Sequence, residues 1–174
     1  MQRRRLRRAF TLIELLAVIA LVAILTAGVA VSLAGAARNA RLDDVVDQYV
    51  AFDRSTREVA RRFERPRALQ FSLNRGAVRR TNGDEEPTPA NLSGGVRVTR
   101  LALAGGERFQ QSGEETIRFS PRGQAPSYAV LLESPAGGRK WIVFAGLTGH
   151  ATVTTDERDV RDILSLATPA AGGD

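Results

Sequence analysis

The 174-residue chain contains no cysteine, and His150 is its only histidine. The first absence excludes disulfides, thiolate catalysis and cysteine-based zinc sites. It does not exclude an oxidising compartment, because a domain can do without disulfides. One histidine and no cysteine leave no set from which a transition-metal cluster could be built. No Ser-His-Asp context surrounds His150, so a surface histidine at a strand end is expected. There is no Walker motif and no glycine-rich phosphate loop following a strand. Lysine is almost missing, with Lys140 alone among 25 basic residues. Two local absences are more informative. From Leu15 to Ala37 there is no charged residue, and from Arg38 to Arg65 there is neither glycine nor proline.

The uncharged run is 23 residues long, and a membrane-spanning helix needs about 20. Five arginines stand before it, at positions 3, 4, 5, 7 and 8. By the charge rule for membrane proteins they hold the N-terminus in the cytoplasm and send the chain after Ala37 across the membrane. They also account for the net charge of +6. Taking these five from the 25 basic residues leaves 20 against 19 acidic ones. The basic excess is therefore a topology signal, and no nucleic-acid partner is predicted.

Glu14 is the exception at the start of this greasy segment. A carboxylate at the centre of a membrane helix costs about 2.5–3.5 kcal/mol, and less near the interface. Such a charge usually faces a partner. A buried carboxylate and a buried ammonium are each costly, and together they offset one another. The rival readings are an ordinary signal anchor, with Glu14 idle at the interface, and a secretory signal cut near Ala34-Gly35-Ala36. The apolar run is longer than the 7–15 residues usual for the latter.

The segment Arg8-Ala9-Phe10-Thr11-Leu12-Ile13-Glu14-Leu15 resembles the N-terminal signal of type IV prepilins and type II secretion pseudopilins. The resemblance implies that a prepilin peptidase cuts between Ala9 and Phe10 on the cytoplasmic face and methylates the new Phe10 amine. It implies that Glu14 neutralises the N-terminal amine of a neighbouring subunit during assembly. Ala9 departs from the glycine usual before the cut. The implied partners are other pilins or pseudopilins in a helical filament, the peptidase, and inner-membrane lipid before assembly. No cofactor and no enzymatic activity are implied.

Beyond the apolar run, Leu42, Val45, Val46, Tyr49, Phe52, Val59, Ala60 and Phe63 recur at helical spacing. Asp43, Asp44, Asp47, Arg54, Arg57, Glu58, Arg61 and Arg62 form the polar face. Pro66 ends the pattern. One helix from Phe10 to Glu64 is expected, roughly 80 Å long at 1.5 Å per residue. Gly28 and Gly35 permit bending or close approach of neighbouring helices.

After Pro66 the period becomes two. Residues 69–73 and 77–80 read as a hairpin, 81–95 as a mobile polar loop, and 95–103 as a strand. Further strands follow at 116–120, 128–133, 140–144 and 150–153, separated by Gly/Pro turns. Ile117-x-Phe119-x-Pro121-x-Gly123, the two apolar strands after it, and Gly146-x-x-Gly149 resemble the C-terminal domain of H-type pseudopilins. In that family two small sheets pack on the second half of the long helix. Residues 156–166 fit either a short helix or an edge strand. Trp141 is expected in the sheet core. Asp84-Glu85-Glu86 and Asp156-Glu157-Asp159 lack an EF-hand spacing and read as solvated acid.

The expected fold is α+β. Residues 1–9 form a leader, 10–37 the membrane and filament-core half of the helix, and 38–65 its amphipathic half. Residues 66–167 form a β-rich pseudopilin domain and 168–174 a tail. The functional expectation is a structural subunit of a pseudopilus or pilus. The alternative is a single-pass anchored β-domain that binds a periplasmic partner and never polymerises.

Overall fold

The computed structural model describes residues 12–81, 86–106 and 109–166, with side chains throughout except at 27–39. It is an α+β protein whose N-terminal helix precedes antiparallel sheets. The chain divides into two compact units, Met1–Arg38 and Asn39–Asp174.

The first unit contains the start of helix α1 (Leu12–Arg62). Every described side chain from Leu12 to Thr26 is exposed. The Thr26 hydroxyl donates to the carbonyls of Val22 and Ala23, so it finds an acceptor within its own helix. Among the described residues no helix is long and apolar enough to cross a membrane. The run expected to do so, 15–37, has described side chains only as far as Thr26.

In the second unit α1 buries Leu42, Val45, Val46, Tyr49 and Ala60. Between Tyr49 and Ala60 the same stripe carries Asp53, Thr56 and Arg57, all buried. This corrects the expected helix faces, since Arg57 belongs to the inner face. Phe63, expected inside, is 57% exposed. The reason is the helix end, which comes at Arg62 rather than Glu64. Glu64 adopts a left-handed conformation with φ of 50°. Its N–H donates to the Arg61 carbonyl and that of Arg65 to the Ala60 carbonyl. These are the two bonds of a Schellman stop, here with glutamate where glycine is usual. Pro66 follows, and Phe63 is turned out of the stripe.

Among the described residues eight strands follow: β1 (Arg67–Ser72), β2 (Ala77–Thr81), β3 (Thr88–Pro89), β4 (Arg97–Leu103), β5 (Glu114–Phe119), β6 (Tyr128–Glu133), β7 (Arg139–Phe144) and β8 (Ala151–Thr154). Helix α2 (Glu157–Leu166) closes the described chain. The strands make two four-stranded sheets, β3-β2-β1-β5 and β4-β6-β7-β8. All pairings are antiparallel. The expected hairpin is β1–β2, with Phe71 opposite Val78. The loop expected over 81–95 contains β3 and a short 3₁₀ turn at Ser93–Gly95. Residues 82–85 lie outside the described ones.

Both sheets face the buried stripe of α1. Leu69 and Phe71 of β1 and Ile117 and Phe119 of β5 share one apolar cluster with Val98, Leu101, Val130, Leu132, Ile142 and Phe144 of the second sheet. The other face of that second sheet is covered by α2. Ala129, Leu131, Trp141 and Val143 pack there with Val160 and Leu164. Coverage on both faces explains why β6 and β7 read as unbroken apolar runs rather than alternating ones. Trp141, expected in the sheet core, is buried on this face, beneath α2. There its ring tilts against Phe109, 5.1 Å between centroids. Asp156 caps α2 by accepting from the Arg158 N–H at 2.8 Å, which decides residues 156–166 in favour of helix.

Non-glycine residues pay about 1–2 kcal/mol for a left-handed conformation. Glu64→Gly is therefore expected to raise stability by about 1 kcal/mol, less the added freedom of the unfolded chain. Urea unfolding of the full chain in a nonionic detergent, followed by the fluorescence of the single tryptophan, Trp141, checks it.

Candidate functional site

Glu14 lies in the first described turn of α1 and is exposed. Its neighbours Leu12, Ile13, Leu15 and Leu16 are 79, 75, 55 and 58% exposed. A carboxylate is thus set among large apolar side chains that are more than half exposed. Such a surface gains free energy by association with other apolar surface, about 25 cal/mol per Å². The carboxylate limits which partners fit, since one bringing a cation is favoured over one that buries the charge alone. Ala9 and Phe10, the predicted cleavage and methylation positions, lie outside the described residues.

The second concentration of chemistry was not legible in the motifs. It lies in the folded unit, on the inner face of α1. Asp53 and Arg57 are one helical turn apart and both buried. Arg57 Nε donates to Asp53 Oδ2 at 2.6 Å. The Tyr128 hydroxyl donates to Asp53 Oδ1, also at 2.6 Å. Arg57 Nη1 donates to the Gly123 carbonyl at 3.1 Å and to the Gly146 carbonyl at 2.7 Å. The guanidinium carbon lies 5.0 Å from the centre of the Phe119 ring. Tyr128 stacks on Phe144 at 4.9 Å, and Tyr49 meets Phe144 edge-on at 5.8 Å.

This knot explains the two glycine turns singled out in the sequence. Gly123 follows β5 and Gly146 follows β7, so one side chain of α1 holds the exit of a strand in each sheet. Gly123 has φ of 72°, and a side-chain carbon there would approach the Arg57 carbonyl oxygen to 2.9 Å. Gly149 has φ of 74°, and a side-chain carbon there would approach Arg57 Cδ to 2.9 Å. Gly146 lies against the backbone of Ala125–Ser127, leaving no room for a side chain. The glycines are therefore what lets the arginine and the turns meet.

The knot is structural in character. It is lined by aromatic rings, Arg57 Nε and Nη1 are hydrogen-bonded, and Arg57 Nη2 is buried without a hydrogen-bond partner among the described residues. His150 is exposed at the end of the β7–β8 turn, as expected. Asp156, Glu157 and Asp159 are occupied locally. Asp156 caps α2, Glu157 pairs with Arg100 and Arg161, and Asp159 accepts from Thr154. Among the described residues no group of three or more His, Cys, Asp or Glu could hold a metal ion.

The signal that could have revealed Asp53 and Arg57 is their position. They continue the three-and-four spacing of Tyr49 and Ala60 between two apolar ends of one stripe. Removing one member of a buried pair costs about 3–5 kcal/mol, because the other charge stays buried. Arg57→Met is expected to destabilise the chain by that amount in urea unfolding. Asp53→Asn/Arg57→Met is expected to cost less than the two single changes combined. Tyr49 and Tyr128 supply a pH dependence. Burial first, then neighbouring negative charge, raises both phenols well above their usual value of 10.0. Above pH ~10 the unfolded chain loses phenol protons that the folded chain retains, so stability falls as pH rises. They are the only two tyrosines. Phenolate absorbance should therefore appear together with unfolding, and not before it.

Comparison with known proteins gives one match. The prokaryotic N-terminal methylation motif matches residues 4–30. No curated protein and no solved structure matches the chain. The matched stretch contains Ala9, Phe10 and Glu14 together with the start of the exposed apolar helix. It indicates a type IV pilin- or pseudopilin-like protein.

Proposed function

We propose that this chain is a structural subunit, a minor pseudopilin or minor pilin, of a type II secretion pseudopilus or a type IV pilus. It enters the inner membrane as a prepilin, with its N-terminus cytoplasmic and its C-terminal domain periplasmic. Prepilin peptidase cuts between Ala9 and Phe10 and methylates the Phe10 amine. The apolar half of α1 then passes from lipid into the core of a filament. The single observation that carries this reading is the methylation motif over residues 4–30, with Glu14 set on an exposed apolar helix.

The role of Glu14 follows from charge and distance. The Phe10 amine of a processed chain is four residues from its own Glu14. A neighbouring subunit displaced along the filament can bring its amine to that carboxylate. Two costs of desolvation are then offset by one ion pair, and only in the correct register. The two-sheet unit beneath α1, with the turns at Gly123 and Gly146, supports the H-type assignment within this class. The proposal makes the chain a substrate of the peptidase, with no catalytic centre of its own.

The test is the mass of the mature N-terminal peptide from cells with and without prepilin peptidase. The expected product begins at N-methylated Phe10 and disappears without the peptidase. A start near Ala37, or an intact Met1, would overturn the filament reading. Glu14→Ala is expected to leave cleavage intact and abolish incorporation into sheared filaments. Normal incorporation would support instead an anchored β-domain that does not polymerise.

A further inference from the structure

The edges of the two sheets are not equally protected. An unpaired strand edge presents free N–H and C=O groups to any other chain. β3 is two residues long and ends in Pro89, which has no N–H to offer. The outer edge of β4 is occupied, since Val98 donates to the Gly76 carbonyl and Leu101 exchanges both bonds with Gln110. β8 is four residues long. β5, six residues long, is paired with β1 on one side, and among the described residues no backbone group is bonded to its other side.

Which groups β5 offers follows from its register. The Leu73 N–H donates to the Gly113 carbonyl at 3.0 Å. The pairing continues from there, with Phe71 opposite Glu115 and Leu69 opposite Ile117. Bonded pairs alternate with unbonded ones in an antiparallel ladder. Glu115, Ile117 and Phe119 therefore bond to β1, and Glu114, Thr116 and Arg118 turn their N–H and C=O groups outward. The side chains of these three are exposed, on the face of the sheet away from α1. Beside them on β1 stand Ser72, Gln70 and Ala68, which carry no charge. The Glu114 carboxylate accepts from Gln70 Nε2 at 3.4 Å and stays exposed.

We propose that β5 is a docking edge for a second copy of this chain, paired antiparallel about a two-fold axis at Thr116. The order of charge selects that partner. Along the edge the order is Glu114, Thr116, Arg118, and a second copy running the opposite way presents Arg118, Thr116, Glu114. Each Glu114 then faces the second copy's Arg118, and the two threonines face each other, both favourable cross-strand pairs. The three pairs exchange about six backbone bonds. The two Glu114 carboxylates stand roughly 13 Å apart along the strand, as do the two arginines. A one-residue slip would set exposed positions against buried ones. Only the two Glu115 side chains, diagonal across the axis, bring like charges near each other. Exposed ion pairs add little strength, so the backbone bonds hold the pair and the charges choose its register. The contact is small, and a weak, concentration-dependent pair is expected. A two-fold contact closes at two copies and does not build a filament, so the inference stands apart from the filament reading.

The chain has no cysteine, so a single introduced one reports alone. In the full chain in nonionic detergent, Thr116→Cys places two thiols at the axis with Cα atoms about 5.5 Å apart, within disulfide reach. Mild oxidation is expected to give covalent dimers at least tenfold faster than in Arg79→Cys, which is exposed on the same sheet but two strands from the edge. Adding Glu114→Arg to Thr116→Cys should slow dimer formation at least tenfold, and so should adding Arg118→Glu. Mixing these two double variants should restore the rate, as a mixed dimer resolved by mass, because opposite signs then meet at both positions. Glu115→Gln should not slow it. The reversals are at exposed positions, and Trp141 fluorescence in urea checks that each variant is folded. Equal rates in Thr116→Cys and Arg79→Cys would mean chance encounter within a micelle, and would overturn the site. No slowing by the reversals, or no recovery in the mixture, would overturn the two-fold register. Cross-linking of Thr116→Cys in cells to a different protein, with none to a second copy, would overturn the partner.

Discussion

The folded unit depends on the contact between one arginine and two turns. Arg57 projects from α1 and is held at one side by Asp53, at the other by the carbonyls of Gly123 and Gly146. The apolar stripe of α1 would bind both sheets in several rotations, because dispersion and hydrophobic contact are not directional. A guanidinium with fixed donors, buried beside a carboxylate, accepts far fewer arrangements. Each misplacement leaves a charge or a carbonyl without its partner in a dry interior. The knot thus sets the rotation of the helix over the sheets, while the surrounding Leu, Val and Phe residues supply most of the burial. Tyr128 extends the same constraint into β6, one of the two interior strands of the second sheet.

Much of this was readable in the sequence and some was not, for physical reasons. The hairpin at Leu69–Val78, the paired strands around Leu131 and Trp141, and the glycine turns were legible because period-two alternation and turn residues are local signals. The second helix was ambiguous because ten residues with two buried positions fit a strand nearly as well, and the cap at Asp156 decides it only in three dimensions. Trp141 is legible as a core residue, but not the face of the sheet it packs on. In a strand covered on both faces, alternation no longer tells which side is inner. Arg57 was placed outside because charge is the usual mark of a solvated face. Its partner Asp53 is one turn away, but the carbonyls that complete its coordination are 66 and 89 residues distant. No local pattern carries that information.

At the N-terminus the position is reversed. The motif at residues 4–30 is almost wholly legible as sequence, and the described geometry adds one fact, that the apolar residues around Glu14 are exposed. The two units therefore differ in what satisfies them. From Asn39 on, most described apolar groups are buried in two clusters within the chain, and Asp53 and Arg57 pair there. Around Glu14 the described apolar side chains are exposed, and in the proposed function lipid or another helix would cover them.

That difference has a consequence for how such a chain can change environment. A protein that must leave one apolar solvent for another cannot rely on the segment in transit for its stability. Here the hydrophobic clusters and the buried ion pair lie entirely among residues beyond Asn39. The described buried clusters of the second unit contain no residue of 12–26. Association of the first unit need only exceed its own ordering and desolvation costs, since no part of the folded core must be rebuilt. In the proposed assembly Glu14 would contribute selectivity rather than strength. Greasy helices attract one another in many registers, and a single carboxylate excludes those in which it meets no cation.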